Sequence, residues 1–222
     1  MWTSGPGVTH QLVLAHLDDE SFGLGAVIAA LHVEGADVRV LCLTRGEAST
    51  LGARADLGVI RLGELRAAAG VLGVTEVVLE DVADGGLSGV AVATFDGVVC
   101  AQLREAVMLL VFDASGVTGH PDHRAASAAA FRVAGRRQLN VLEWGVTAQV
   151  GTQLGAELAT GFVALAGDGT ADIIADRTVQ LAAIACHESQ AHDNPVLTHR
   201  LELQGTGERV RLHPAHQVQH TA

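Results

Sequence analysis

An α/β fold is predicted for this chain: a Rossmann-like, doubly wound, mostly parallel sheet with helices on both faces. Three observations carry that expectation. Short apolar runs alternate with helix-period segments, the apolar runs are too short and too β-branched to be helices, and 222 residues suit one such domain. Gln11–Ala15 reads as the first strand, and a helix follows over Phe22–Glu34, stopped by Gly35-Ala36-Asp37. Val38–Thr44 is apolar on both faces, as a buried parallel strand should be. Leu57–Leu72 places Leu57, Ile60, Leu65, Ala68 and Ala69 on one helical stripe that Gly73 ends.

Glu76–Leu79 forms a third strand, Asp84-Gly85-Gly86 a turn, and Phe95–Glu105 a weak helix. Val107–Phe112 is wholly apolar and must be central; Pro121–Val133 is a helix with proline at its first position. Val141–Trp144 begins a fifth strand, a last helix is expected at about Ile174–His187, and the tail from His192 is polar and poorly patterned. The sequence therefore reads as a single domain over 1–222, with a core of about 8–190 and a polar C-terminal segment of about 191–222. In a doubly wound sheet the first three strands spread one way and the fourth lies on the other side of the first. The ligand crevice then opens at the C-terminal ends of strands one and four.

Composition narrows the function. Twenty-five acidic against fourteen basic residues give a formal charge of −11, which repels phosphate backbones, and the 3% aromatic share supplies no stacking platform for single strands. Nucleic acid is not an expected partner. The Met1-Trp2-Thr3-Ser4 start shows no signal peptide, and Gly, Asp or Arg interrupts every apolar stretch, so a cytoplasmic protein without a membrane partner is expected. Cys42, Cys100 and Cys186 lie far apart with no CxxC pair, as in a reducing compartment. All basic residues are Arg, a usage that suggests a GC-rich bacterial genome.

Two polar clusters fall where the topology places the crevice: His16-Leu17-Asp18-Asp19-Glu20 after the first strand and His120-Pro121-Asp122-His123 after the fourth. Two imidazoles and a carboxylate make a hydrolytic metal site, and a further carboxylate provides its general base. His120 at the helix N-cap and His123 in the first turn can share one side, where the helix dipole disfavours imidazolium. Of the adjacent Asp18 and Asp19, one can bind metal while the other holds water. Either cluster alone is ordinarily structural; the two together at one crevice favour a metal site. A non-haem iron triad uses the same donors, usually on all-β scaffolds. Gly23-Leu24-Gly25 lacks a dinucleotide fingerprint's third glycine and reads as helix packing. His187 and His192 read as rim or surface, and Glu20, Glu47 and Glu64 as structural acids.

The clusters resemble the AHPDDE and HPDH motifs of the PIG-L/LmbE family of zinc-dependent N-acetylglucosaminyl deacetylases. Further segments are similar in order: Leu43-Thr44-Arg45-Gly46-Glu47, Arg61-Leu62-Gly63-Glu64-Leu65, Asp84-Gly85-Gly86-Leu87, Ser115-Gly116-Val117-Thr118-Gly119 and Cys186-His187-Glu188-Ser189-Gln190. The resemblance implies metal ligands His16, Asp19 and His123, general base Asp18, and His120, protonated, assisting the oxyanion and leaving amine. It also implies Asp122 orienting an imidazole and Arg61 contacting substrate. Leu17 stands where the family has Pro, which is expected to loosen the loop and alter the pocket lining. The absence of Tyr removes a carbonyl-polarising group that some members carry. The implied function is hydrolysis of the acetamide of an N-acetylglucosaminyl conjugate, with zinc (or iron in its place), in bacillithiol- or mycothiol-type thiol biosynthesis. Alternatives are an amidase on larger thiol conjugates and an inactive sugar- or nucleotide-binding module. The expected partner is a small N-acetylated amino sugar, with homo-oligomers left open.

Overall fold

A computed structural model describes residues 4–218. The start at Met1–Thr3 and the end of the polar tail, 219–222, lie outside the described residues. Strands β1 (Thr9–Leu14), β2 (Asp37–Thr44), β3 (Glu76–Val82), β4 (Ala106–Phe112), β5 (Asn140–Gly145), β6 (Thr170–Ile174) and β7 (Gly207–His213) form one sheet in the order β3-β2-β1-β4-β5-β7-β6. The first five pair in parallel; β7 runs antiparallel to both β5 and β6.

Strand side chains alternate between two cores, as the pleat requires. Leu12, Leu14, Val40, Met108, Leu110 and Leu142 face one, with helices α2 (Gly25–Val33), α3 (Leu57–Leu72) and α6 (Ala148–Leu158) over them. Val13, Leu41, Leu109, Val111 and Val141 face the other, under α4 (Val92–Gln102) and α5 (Pro121–Arg137). The winding reverses between β1 and β4, which opens the crevice at their C-terminal ends, as the sequence pattern predicts.

The structure departs from the expected elements in four places. The helix expected over 22–34 is two pieces, α1 (Asp19–Phe22) and α2, parted at Gly23 and Leu24, and a Cβ at Gly23 would lie 2.4 Å from the Phe112 ring. Ile174 ends β6 instead of opening a helix, and the helix that follows is α7 (Thr178–Ile184), succeeded by the short α8 (Glu188–Ala191). Strand β3 runs three residues past the expected Leu79, its Val82 beside Thr44 of β2. The segment from about 191 is not an appendage to a core ending near 190. It supplies α9 (Pro195–Gln204), opened by the Asn194 side chain accepting from Leu197 N, then β7 inside the sheet and α10 (Ala215–Val218).

Candidate active site and metal centre

The crevice is a cleft of about 460 Å³, within the range of small-molecule sites. Asp18 and Asp19 sit at the start of α1, immediately beyond β1, while His120 caps α5 and its Nδ1 accepts from Asp122 N at 3.2 Å. His16, Asp19 and His123 converge. His16 Nδ1 and His123 Nε2 are 3.1 Å apart, and His123 Nε2 is 3.1 Å from Asp19 Oδ1. Each of the three is anchored from behind. His16 Nε2 lies 3.1 Å from Asp84 Oδ1, His123 Nδ1 donates to Gly116 O at 3.2 Å, and Asp19 Oδ2 accepts from the backbone of Ala15 and His16. Such carboxylate and carbonyl partners fix imidazole tautomers so that the other ring nitrogen faces inward.

The donor set fits a divalent metal. Ligand distances of 2.0–2.1 Å on a tetrahedron put donor atoms about 3.3 Å apart, close to the spacing seen here. Two ring nitrogens facing one another beside a carboxylate are also poor company without a cation between them. A second grouping, His16, His120 and Asp122, has a weaker claim. Both Asp122 oxygens are already taken by the amides of Gly85 (2.7 Å) and Leu87 (3.1 Å). Asp122 is thus fully buried and held by the 84–87 turn, 3.7 Å from His16 Nε2.

Electrostatics point the same way. Burial opposes charge on His16, but hydrogen bonds from Asp122 and Asp84 and the charges of Asp19 and Asp18 raise its pKa to about 10. Burial likewise opposes charge on His123, whose pKa is nonetheless raised by the charge and hydrogen bond of Asp19. Asp19 is pushed up by burial but held well below the usual carboxylate range by the same two histidines. The acids around this pocket therefore favour a positive charge at its centre, the role a metal ion fills. His120 differs: burial, then the positive charges of His16 and His123, lower its pKa. The expected protonated His120 is replaced by a neutral ring whose Nδ1 is an acceptor.

Arg61 borders the cleft, where a substrate contact would have to stand. Its side chain is only 3% exposed, with Nη2 2.8 Å from Asp18 Oδ1 and Nη1 donating to Gly46 O at 2.6 Å. It is therefore also the partner of Asp18, a pairing the sequence did not suggest. Gly46 has φ +59°, and a Cβ there would meet Arg61 Nη1 at 2.0 Å, so only glycine permits this approach. Leu17 is fully buried in the core and does not line the cleft, contrary to expectation.

Other side chains went unrecognised in the sequence or were assigned elsewhere. Asp84, read as turn chemistry and as part of a family-like segment but given no role, is the anchor of His16, and Glu47 Oε1 in turn accepts from Asp84 N at 3.0 Å. His187 is neither rim nor surface: it is fully buried, Nε2 2.7 Å from Glu20 Oε1. His192 is exposed beside Asp193 and outside the cleft. Glu64 accepts from Ser189 N and Oγ, tying α3 to α8. Phe112, Trp144 and Phe162 supply an aromatic wall, and Gln190, Asn194 and Arg200 enter from the C-terminal segment. Val117 holds a positive φ of 63°, unusual for a β-branched residue, with its carbonyl accepting from Val163 N.

Known proteins resemble this chain in sequence and in fold. A relative from Mycobacterium avium (strain 104), a 1D-myo-inositol 2-acetamido-2-deoxy-alpha-D-glucopyranoside deacetylase, is 40% identical over 138 residues, half of this chain. That match spans 46% of the relative, so the chain covers about half the length of such relatives. The protein of that name from Mycolicibacterium vanbaalenii is 30% identical over 82% of this chain and 81% of its own. Among solved structures, the zinc-inhibited form of teicoplanin deacetylase Orf2 superposes with a TM-score of 0.70 at 17% identity, covering 93% of this chain and 98% of that one, a likeness of fold. The sequence model of the GlcNAc-PI de-N-acetylases matches residues 11–134, the stretch that contributes every converging His and Asp, and the chain belongs to this PIG-L family.

Proposed function

We propose that the protein is a metal-dependent N-deacetylase acting on the acetamide of an N-acetylglucosaminyl conjugate. The observation that carries this reading is the convergence of His16, Asp19 and His123 beside a carboxylate, Asp18, that is not among them. A bound zinc, or iron, would polarise the amide carbonyl and acidify water. Asp18 takes the proton of the attacking water. Arg61, at 2.8 Å, aims Asp18 through one oxygen and leaves its second oxygen for that proton. His120 is neutral with Nδ1 already accepting, so its proton sits on Nε2, a hydrogen-bond donor for the developing oxyanion, and the proton taken up by Asp18 is the one passed to the leaving amine. Asp84 and Asp122 hold His16 and the turn beneath it.

The substrate class rests on the named relatives, which act on an N-acetylglucosaminyl inositol, and on a cleft of matching size. Three free cysteines suit a reducing cytoplasm, and we place the reaction there, in bacterial thiol biosynthesis, on a small amino-sugar conjugate. No helix among the described residues is long and apolar enough to cross a membrane. The test is metal analysis of the purified protein followed by acetate release from N-acetylglucosaminides. Release that requires one tightly bound metal per chain supports the reading; a metal-loaded protein that releases none overturns it.

A further inference from the structure

At the end of the cleft away from the metal ligands lies a cation that the proposed reaction does not use. Arg200, on α9, is 4% exposed yet borders the cleft. Its guanidinium stands over the Trp144 ring, 5.3 Å from the centroid. From there a run of ring contacts leads back to the metal site: Trp144 to Phe112 at 5.0 Å, and Phe112 to His123 at 4.8 Å. Arg200 therefore caps the far end of one continuous aromatic wall.

Its polar partners are all neutral. Nη2 donates to Phe22 O and Nη1 to Gln204 Oε1 at 2.6 Å. The one carboxylate nearby, the fully buried Glu208, is spoken for: it accepts from Trp144 Nε1 at 2.6 Å, from Gln204 Nε2 at 2.9 Å and from Arg177, its ion-pair partner. Two guanidiniums share one carboxylate, so the cluster is left with an excess positive charge. Burial depresses the Arg200 pKa to about 10, with Glu208 opposing and Arg177 assisting, and the side chain remains charged at neutral pH. A buried cation with neutral partners is costly unless a counter-charge arrives. A planar guanidinium matches a carboxylate or phosphate.

We propose that Arg200 forms an anion subsite, so that the preferred substrate carries a carboxylate or phosphate on the group attached to the amino sugar. This deepens the deacetylase reading and rests on it for the sugar end alone. It also separates this chain from its named relatives, whose inositol aglycone is neutral.

Three probes share one acetamido sugar: the 2-hydroxyethyl N-acetylglucosaminide, its carboxymethyl counterpart and N-acetylglucosamine 1-phosphate. Binding by calorimetry and acetate release are both measured on the metal-loaded protein, wild type and Arg200→Gln. The expected result is at least about tenfold tighter binding of one or both anionic probes than of the hydroxyethyl glycoside. Which of the two is preferred tells carboxylate from phosphate. Arg200→Gln should abolish that preference. Equal binding of all three by the wild type overturns the subsite, as does a preference that survives in Arg200→Gln. Because the wild-type comparison needs no variant, misfolding of Arg200→Gln leaves the proposal open to refutation. Anion-selective binding without acetate release upholds the subsite and overturns the deacetylase reading; acetate release without selectivity does the reverse.

Discussion

The two ends of the cleft are built on different principles. The metal end, from β1, β3, β4 and the start of α5, is a set of acids and imidazoles in which nearly every atom is anchored to backbone or to a second carboxylate. The far end, from β5, α9 and β7, is aromatic and cationic, held by Glu208 and two arginines. The first is organised to hold a cation and the second to want an anion. The family model's own match, residues 11–134, covers the first and stops short of the second. Chemistry and selectivity are therefore separable in this chain, and variants at each end should fail differently.

The largest effects belong to the ligands. Asp19→Asn or His123→Ala removes a donor and leaves its partners facing one another, and should lower metal content and acetate release together, to background. Elemental analysis beside the assay checks this; full occupancy in either variant would remove that residue from the ligand set. Asp18→Asn is next. It keeps shape but cannot accept a proton, so turnover should fall on the order of a hundredfold or more with metal occupancy near normal. Arg61→Gln should resemble a partial version of this change, acting through Asp18. An effect of Arg61→Gln confined to KM would support the substrate-contacting role expected from the sequence.

At the far end the expected damage is to stability. Glu208→Gln leaves the Arg177 and Arg200 guanidiniums without a counter-charge in a buried site, a change that costs about 3 kcal/mol or more. Urea denaturation should show it as a lower midpoint with unchanged slope, while metal content of the folded protein stays normal. A loss of metal in Glu208→Gln would mean that the two ends are one unit.

The same division explains what could be read from the sequence. Strands β1, β2 and β4 are largely buried and carry consecutive apolar residues, Leu12–Leu14, Val40–Leu43 and Ala106–Phe112, so they and the crevice between β1 and β4 were legible. Strand β7, Gly-Glu-Arg-Val-Arg-Leu-His, pairs with β5 and β6 yet carries charge on both faces: Glu208 is the ion-pair partner of Arg177 and Arg209 that of Asp172. Without a visible apolar run it looked like a tail. Adjacent motif residues showed the ligands, but Asp84 is 68 positions from His16 by number and only the fold brings them within 3.1 Å. The pairing of Arg61 was hidden for a related reason. A basic residue on an apolar stripe signals a buried partner, and nothing local says whether that partner is substrate or Asp18.

The smallest predicted effect tests the joint between the two regions. Glu20, on α1, and His187, at the N-cap of α8, are both fully buried and 2.7 Å apart, with Ser21 Oγ donating to the same Glu20 oxygen. Burial raises the Glu20 pKa, against the pull of His187 and Ser21. Burial opposes charge on His187, but the hydrogen bond and charge of Glu20 raise its pKa above the usual imidazole value. Both shifts have one sign: the folded pair binds a proton more tightly than the unfolded chain. By linkage, the histidine's contribution is fully present below its unfolded value of about 6.5 and the glutamate's below its unfolded value of about 4.3, and each is lost as pH rises through the folded value. Metal-free protein isolates this contribution, because His16 and His123 then titrate alike in wild type and variant. The wild-type melting temperature should fall more steeply between pH 6 and 9 than that of Glu20→Gln, by about 2 °C or more. Superimposable profiles would show that the pair shares no proton, and that α1 and α8 are joined there by shape alone.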